Sequence, residues 1–218
     1  MQIDARTEQV VAGSGETRVG HHQAGTAGKR ARRLPEMHAV RTHVAGVLRA
    51  TRVWRRGANA GSGEWLGRLP EGWFVFHDVP LGERGPTVDH LVIGPGGVFT
   101  LNTKDLSGAI RVNARSVAHD GRRTSFLAKA SAEALRAASL LTAAIDRPVE
   151  VRGLLAILAD EWIVKRLPAD VYVGGPGSVK HWMLQQPPVL RPSDVIVLVA
   201  AAGKPATWTA NAGHPRAV

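Results

Sequence analysis

The sequence predicts an α/β domain in which a mixed β-sheet is flanked by helices. Short segments rich in Val, Ile and Phe, which favour strands, lie before and after one long segment rich in Ala and Leu, which favour helices. That order of elements is typical of a mixed sheet with helices packed against it. A hydrophobic content of 44% supplies a core, and 218 residues suffice for one domain but are few for two.

The N-terminal part of the chain predicts a basic arm, which we place at residues 1–56. Residues 1–60 hold 11 Lys and Arg against 4 Asp and Glu, so +7 of the net charge of +10 lies there. Residues 1–38 lack an apolar period and are predicted to be largely disordered, whereas 40–56 favour a short basic helix. Clustered cations bind phosphate backbones, although a solvated basic tail explains the pattern equally well. The candidate nucleic-acid-binding residues are Lys29, Arg30, Arg32, Arg33, Arg52, Arg55 and Arg56.

The α/β domain is predicted over residues 57–203, and it begins with a glycine-rich loop and a short helix. Ser62 is placed to cap that helix, which contains Glu64, Trp65, Leu66 and Leu69. Alternating or continuous apolar residues then predict strands. These strands are a segment at 73–79, the two arms of a hairpin within 89–104, and a segment at 109–112.

One long helix and a second group of elements complete the predicted domain. Residues 126–145 favour a helix most strongly, with Leu127, Leu135, Ala138, Leu141 and Ile145 at helical spacing. The remaining predictions are strands at 151–159 and 171–174, a link at 160–169, a helix at 177–185, a segment at 195–202 that fits either a helix or a strand, and an irregular tail at 204–218.

The sequence also excludes or disfavours several kinds of protein and site. Without cysteine the chain forms no disulfide and no thiolate zinc site, and we expect a cytoplasmic location. No apolar run is long enough to cross a bilayer, and the polar N-terminus lacks the apolar region of a secretory signal. The motifs of phosphate-binding loops and of serine nucleophile elbows are absent. Nine histidines lack metal-ligand spacing, although His77 and His90 could approach each other on neighbouring strands; packed or solvated histidines are expected.

The hairpin within residues 89–104 gathers polar side chains at the end away from its turn. If Ile93 pairs with Val98 across Gly94-Pro95-Gly96-Gly97, the register places Asp89 opposite Asn102 on one face. Lys104 lies two residues beyond Asn102 and therefore shares that face. We expect Asn102 to lie at a partly wet strand end. A carboxylate, an amide and an ammonium then converge, as metal-dependent cleavage of phosphodiesters requires.

These residues resemble the nuclease-related domain family, NERD, which is placed in the restriction-endonuclease-like superfamily. The similarity covers roughly residues 57–145. Its motifs are Gly63-Glu64 before a short helix, His77-Asp78-Val79, Asp89-His90-Leu91-Val92-Ile93-Gly94-Pro95-x-Gly97-Val98-Phe99, Asn102-Thr103-Lys104 with Gly108, Ser125-Phe126-Leu127 and Glu133-x-x-Arg136-Ala137-Ala138. The resemblance implies a restriction-endonuclease-like mixed β-sheet flanked by helices, preceded here by the disordered basic arm.

By position, the resemblance implies Glu64 as the helix carboxylate, Asp89 as a metal ligand and Lys104 as the catalytic lysine. Mg²⁺ would be held by Asp89, Glu64 and Asn102, but Asn102 stands where the superfamily carries Asp or Glu, so the site lacks one negative charge. One function that follows is a weak or degenerate Mg²⁺-dependent phosphodiesterase acting on DNA rather than RNA. The alternative is a non-catalytic module that binds nucleic acid or a protein. The oligomeric state stays open.

Overall fold

The computed structural model describes residues 63–209. The predicted arm at 1–56, with its short helix and its seven candidate basic residues, lies outside the described residues, as does the end of the chain from 210. The described part begins with helix α1, Gly63–Leu66. Glu64 lies in this helix, but its side chain is outside the described atoms, and so is the predicted Ser62 cap.

Nine strands and four further helices follow within residues 63–209. The strands are β1 Phe74–Pro80, β2 Thr87–Gly94, β3 Gly97–Asp105, β4 Ala109–Asn113, β5 Ser116–His119, β6 Arg122–Arg123, β7 Val151–Leu158, β8 Glu161–Val164 and β9 Val171–Gly174. The helices are α2 Phe126–Ile145, α3 Pro176–Leu184, α4 Pro192–Ala202 and α5 Pro205–Thr209. None of the described helices is long and apolar enough to span a membrane.

The strands form two mixed sheets, which confirms the predicted fold class. The larger sheet has the order β1-β2-β3-β7-β9, with β1, β2 and β3 antiparallel and β7 and β9 running parallel to β3. The smaller sheet has the order β6-β5-β4-β8. Its strand β8 lies in the segment 160–169, which was expected to be a link, and pairs with β4 in parallel. Strand β8 has no fully buried residue and therefore lacks the continuous apolar run that predicted the equally short β9.

Helix α2 has the predicted bounds, and of its predicted apolar stripe Leu141 is buried and Leu127 and Ile145 pack against the core, whereas Leu135 does not. Its buried residues are Ala130, Glu133, Ala134, Ala137, Leu140 and Leu141. Leu135, which the spacing placed on the apolar stripe, is 70% exposed. Small alanine side chains allow the helix to approach the sheet closely, and a Cβ at Gly153 of β7 would lie 3.1 Å from the carbonyl oxygen of Ala130. Close contact with the sheet therefore places the alanine face of α2, together with Leu140 and Leu141, in the core and leaves Leu135 outside it.

The C-terminal elements settle one open prediction and correct another. The ambiguous segment at 195–202 is helical within α4, whose Asp194 carboxylate accepts hydrogen bonds from the main-chain N–H and the Nε of Arg191. The tail was predicted to be irregular from residue 204, yet α5 lies there and buries Trp208. The Trp208 indole N–H donates to the carbonyl of Ala202 at 2.7 Å. Burial of one large aromatic side chain stabilises a helix that is too short to form alone.

The larger sheet carries a hydrophobic cluster on each face. One cluster joins β1, β2 and β3 to α2, α4 and α5, through residues that include Leu91, Ile93, Val98, Leu140, Val199 and Trp208. The other cluster joins β2, β3 and β7 to α3, through residues that include Val92, Phe99, Leu154, Val179 and Met183. Because side chains alternate along a strand, the even-numbered residues of β3 that follow Val98 face α2.

Candidate functional site

The hairpin of β2 and β3 has the predicted register. Ile93 pairs with Val98, and the pairing continues with Leu91 opposite Thr100 and His90 opposite Leu101. Gly97, in the turn, has φ +126°, a backbone conformation that residues other than glycine rarely adopt. A four-residue turn and the two-residue period of a strand therefore sufficed to predict the pairing from Ile93–Val98 to Leu91–Thr100.

Asp89 lies just beyond the last pair of this ladder and bonds to Thr103. Its Oδ2 accepts the main-chain N–H of Thr103 at 2.8 Å and the Thr103 hydroxyl at 3.2 Å. The carboxylate thus supplies an acceptor for a main-chain donor where the strand pairing ends. Its direct partner is Thr103, whereas the sequence placed it opposite Asn102. The Asp89 side chain is half-buried at the end of the two strands.

Asn102 is buried against helix α2, and this corrects the expectation of a partly wet strand end. Only 3% of Asn102 is exposed, because α2 covers this end of β3. Its amide nitrogen donates to Oε2 of Glu133 at 2.5 Å. Glu133 is 1% exposed and is the one acidic residue on the buried face of α2. In the sequence Glu133 was part of the helix motif alone, with no role assigned to it.

Two oxygens of this buried pair have no hydrogen-bond partner. They are Oδ1 of Asn102 and Oε1 of Glu133. The ammonium of Lys129, one helical turn before Glu133, lies 3.6 Å from Oε1, within ion-pair distance but beyond a hydrogen bond. Buried polar atoms are nearly always hydrogen-bonded, so two neighbouring exceptions call for an explanation.

Lys104 lies on the same side of the sheet as Asn102. Its ammonium donates to the carbonyl of Thr103 at 2.9 Å and lies 6.0 Å from the ring centroid of Phe126, the first residue of α2. An ammonium has three protons to donate, so this single main-chain bond leaves capacity for a further acceptor. The Lys104 ammonium therefore lies between the end of β3 and the first residue of α2.

The donor atoms at this end of β3 suit a hard divalent cation in kind, though not in number. Carboxylate, amide and carbonyl oxygens are the ligands that Mg²⁺ takes in proteins, and the two unpartnered oxygens of Asn102 and Glu133 are of this kind. Among the described residues, however, no three His, Asp or Glu side chains form a group that could hold a metal ion. A cation here would depend on the amide and on main-chain or water oxygens besides Asp89 and Glu133.

His77 of β1 and His90 of β2 contact each other across the two strands, as the sequence suggested they could. His77 and His90 pair across the strands, and their Nδ1 atoms lie 2.8 Å apart. Burial, and secondly the charge of His77, lowers the pKa of His90 to about 4. The Nε2 atom of His90 is buried without a partner. This is a packed pair of imidazoles, and the described residues add no third ligand that would make it a metal site.

Asp78 completes this cluster of titratable groups. It has φ +52°, an uncommon conformation outside glycine, and its Oδ2 is buried without a hydrogen-bond partner. Burial raises the pKa of Asp78; the charge of His77 lowers it, and that of Asp89 raises it. The Asp89 charge also raises the pKa of His90, against the larger effects of burial and of the His77 charge.

Comparison with known proteins identifies part of the chain. The family model described as the nuclease-related domain matches residues 60–158, which extend from α1 through β7. That domain has the restriction-endonuclease-like fold class. The match includes Asp89, Asn102, Lys104 and Glu133. No curated protein and no solved structure matches the chain.

Proposed function

Because residues 60–158 are a nuclease-related domain, we propose that the protein is a divalent-metal-dependent phosphodiesterase acting on DNA. The observation that carries the proposal is that Asp89, at the end of β2, bonds to Thr103 of β3, which lies between Asn102 and Lys104 in the chain. Lys104 bonds to the carbonyl of the same Thr103, and Asn102 bonds to Glu133. A carboxylate, an amide oxygen and an ammonium at one strand end are suited to phosphodiester chemistry.

In this proposal each side chain has a distinct task. Asp89 and Asn102 would hold Mg²⁺, which when bound neutralises phosphate charge and lowers the pKa of water. Lys104 would donate to a phosphate oxygen as negative charge develops there, since its ammonium has protons beyond the one given to Thr103. Glu64, assigned as a ligand by resemblance, stays a prediction because its side chain is outside the described atoms.

The predicted arm would supply most of the attraction to nucleic acid. Residues 63–209 carry 16 Lys and Arg against 14 Asp and Glu, a net charge of +2, whereas residues 1–60 carry +7. Counterion release from a phosphate backbone grows with the number of cations that contact it. The domain itself is therefore close to neutral, and binding strong enough to retain DNA would require the arm. A cytoplasmic location stays a prediction from the cysteine-free sequence.

A non-catalytic binding module is the second candidate, and one observation favours it. Oδ2 of Asp89 already accepts from Thr103, and the amide nitrogen of Asn102 already donates to Glu133, so protein partners hold both side chains in place. In addition, the amide at position 102 lacks the charge of a carboxylate. A protein with such a site would retain the fold and the basic arm but would not hydrolyse DNA.

Plasmid nicking in the presence of Mg²⁺ or Mn²⁺ separates the two candidates. Asp89→Asn and Lys104→Met should each abolish divalent-dependent nicking, whereas the control Asp105→Asn, at the exposed end of β3, should leave it unchanged. Asp89→Asn retains an acceptor for the Thr103 N–H, so the fold should persist. Nicking that survives both site variants would refute the assignment. If the parent protein retards DNA in a gel but does not nick it, the protein is the non-catalytic binding module.

A further inference from the structure

We propose that Glu133 supplies the second carboxylate of the divalent-cation site, in place of the acidic residue that β3 lacks at Asn102. The inference rests on the proposed function, because it concerns the same site. Glu133 projects from α2 onto Asn102, so the carboxylate comes from the helix and reaches the strand through one hydrogen bond of 2.5 Å. The site would then contain Asp89, the Asn102 amide oxygen and Glu133.

A purely structural role does not explain a carboxylate at position 133. The other buried residues of α2 are alanine and leucine, and an ionised side chain that is 1% exposed is costly unless it is well paired. A glutamine would accept the same hydrogen bond from Asn102 and could also donate to its unpartnered Oδ1. A carboxylate accepts only, and it leaves both Oδ1 and Oε1 without partners. A cation between these oxygens would satisfy both.

Lys129 has the properties of a counter-charge that a metal can replace. Its ammonium lies 3.6 Å from Oε1, and its side chain is 52% exposed. It can therefore turn into water at little cost in desolvation, because it is already largely hydrated. In the metal-free protein Lys129 balances the charge of Glu133. When a divalent cation binds, Glu133 would exchange this ammonium for the metal.

Calorimetric titration of the full-length protein with MnCl₂ and MgCl₂ tests the inference. Glu133→Gln should weaken cation binding by about tenfold or more, as expected for the loss of one ligand or its close partner. Glu150→Gln, an exposed carboxylate next to β7, is the matched control and should bind as the parent does. Thermal unfolding of each variant establishes that it is folded.

A double variant distinguishes a ligand from a structural residue. Asn102→Asp combined with Glu133→Gln exchanges the two groups: the carboxylate moves to β3 and the amide moves to α2. The side-chain lengths at the two positions stay the same, so the hydrogen bond between them can be retained. Because one carboxylate is again present, cation affinity should recover to within a few-fold of the parent. Lys129→Met should strengthen binding, because it removes the competing ammonium. Position 129 is exposed enough for Lys129→Met to fold even if Glu133→Gln does not.

The outcomes separate this inference from the proposed nuclease function. Equal cation affinity in Glu133→Gln and the parent, no recovery in the folded double variant, or no gain in Lys129→Met would each overturn the role of Glu133. Absence of cation binding by the parent at millimolar concentrations would overturn it as well. If Glu133→Gln nicks plasmid as fast as the parent, the nuclease function stands and the inference fails. If the variants change cation affinity as predicted but neither the parent nor any variant nicks DNA, the role of Glu133 stands and the nuclease function fails.

Discussion

Acidification should destabilise the protein through the buried His90, and the size of the effect follows from its pKa. Burial and the charge of His77 lower the pKa of His90 from 6.5 to about 4 in the folded state. Below pH 6.5 the unfolded chain binds a proton on His90 that the folded protein does not bind. Stability is therefore fully retained above about pH 6.5 and falls as the pH approaches 4.

The free energy of unfolding should fall by about 1.4 kcal/mol for each pH unit within that window. Over the whole window the loss attributable to His90 is ~3 kcal/mol, a large part of the stability of a domain of this size. Asp78 acts in the opposite direction, because burial raises its pKa and the folded state then binds a proton more tightly than the unfolded chain. The contribution of His90 must therefore be measured as a difference between variants.

Urea unfolding followed by tryptophan fluorescence, from about pH 7.5 to about pH 4.5, measures this difference for the parent and His90→Gln. The parent should lose ~2–3 kcal/mol more than His90→Gln over that range, because glutamine does not titrate. His181→Gln removes an exposed histidine from α3 and serves as the control, with the pH dependence of the parent. Parallel pH profiles for the parent and His90→Gln would show that His90 is not held neutral by its burial.

Three further predictions concern the site, the arm and the packing of the hairpin. Asn102→Asp should raise Mn²⁺ affinity yet lower the stability of the metal-free protein by ~2–3 kcal/mol, because it removes a hydrogen-bond donor and places a second carboxylate against Glu133. If calorimetry shows no tighter Mn²⁺ binding, the nuclease assignment fails. Replacing the four basic residues within 29–33 by alanine should lower the slope of log affinity for DNA against log salt by about 0.9 for each phosphate that the arm no longer neutralises; an unchanged slope would identify a passive tail. Gly94→Ala should lower the free energy of unfolding by ~2 kcal/mol in urea titrations, since its Cβ would overlap the Trp73 ring; a stability equal to that of the parent would refute this packing.

Local patterns predicted the elements whose geometry is local. The register of β2 and β3 follows from a four-residue turn and the two-residue period of a strand, and the bounds of α2 follow from twenty residues of high helix propensity. The short strands β5, β6 and β8 were not predicted, because most of their residues are exposed or half-buried and they lack the buried apolar run of the equally short β9. Helix α5 was also missed, since burial of Trp208 in the core, a tertiary contact, stabilises it.

The pairing of β2 with β3 could be predicted from the chain alone, because the turn length and the strand period are local properties. The contact of Glu133 with Asn102 could not. Glu133 is 31 residues from Asn102, and the two meet only because α2 docks on the sheet through its alanine face, with Ala130 close to Gly153. That choice of face depends on how closely helix and sheet can approach, which is a property of the packed core and of no local pattern. The same docking exposes Leu135, excludes water from Asn102 and brings a carboxylate to a site whose strand residue is neutral.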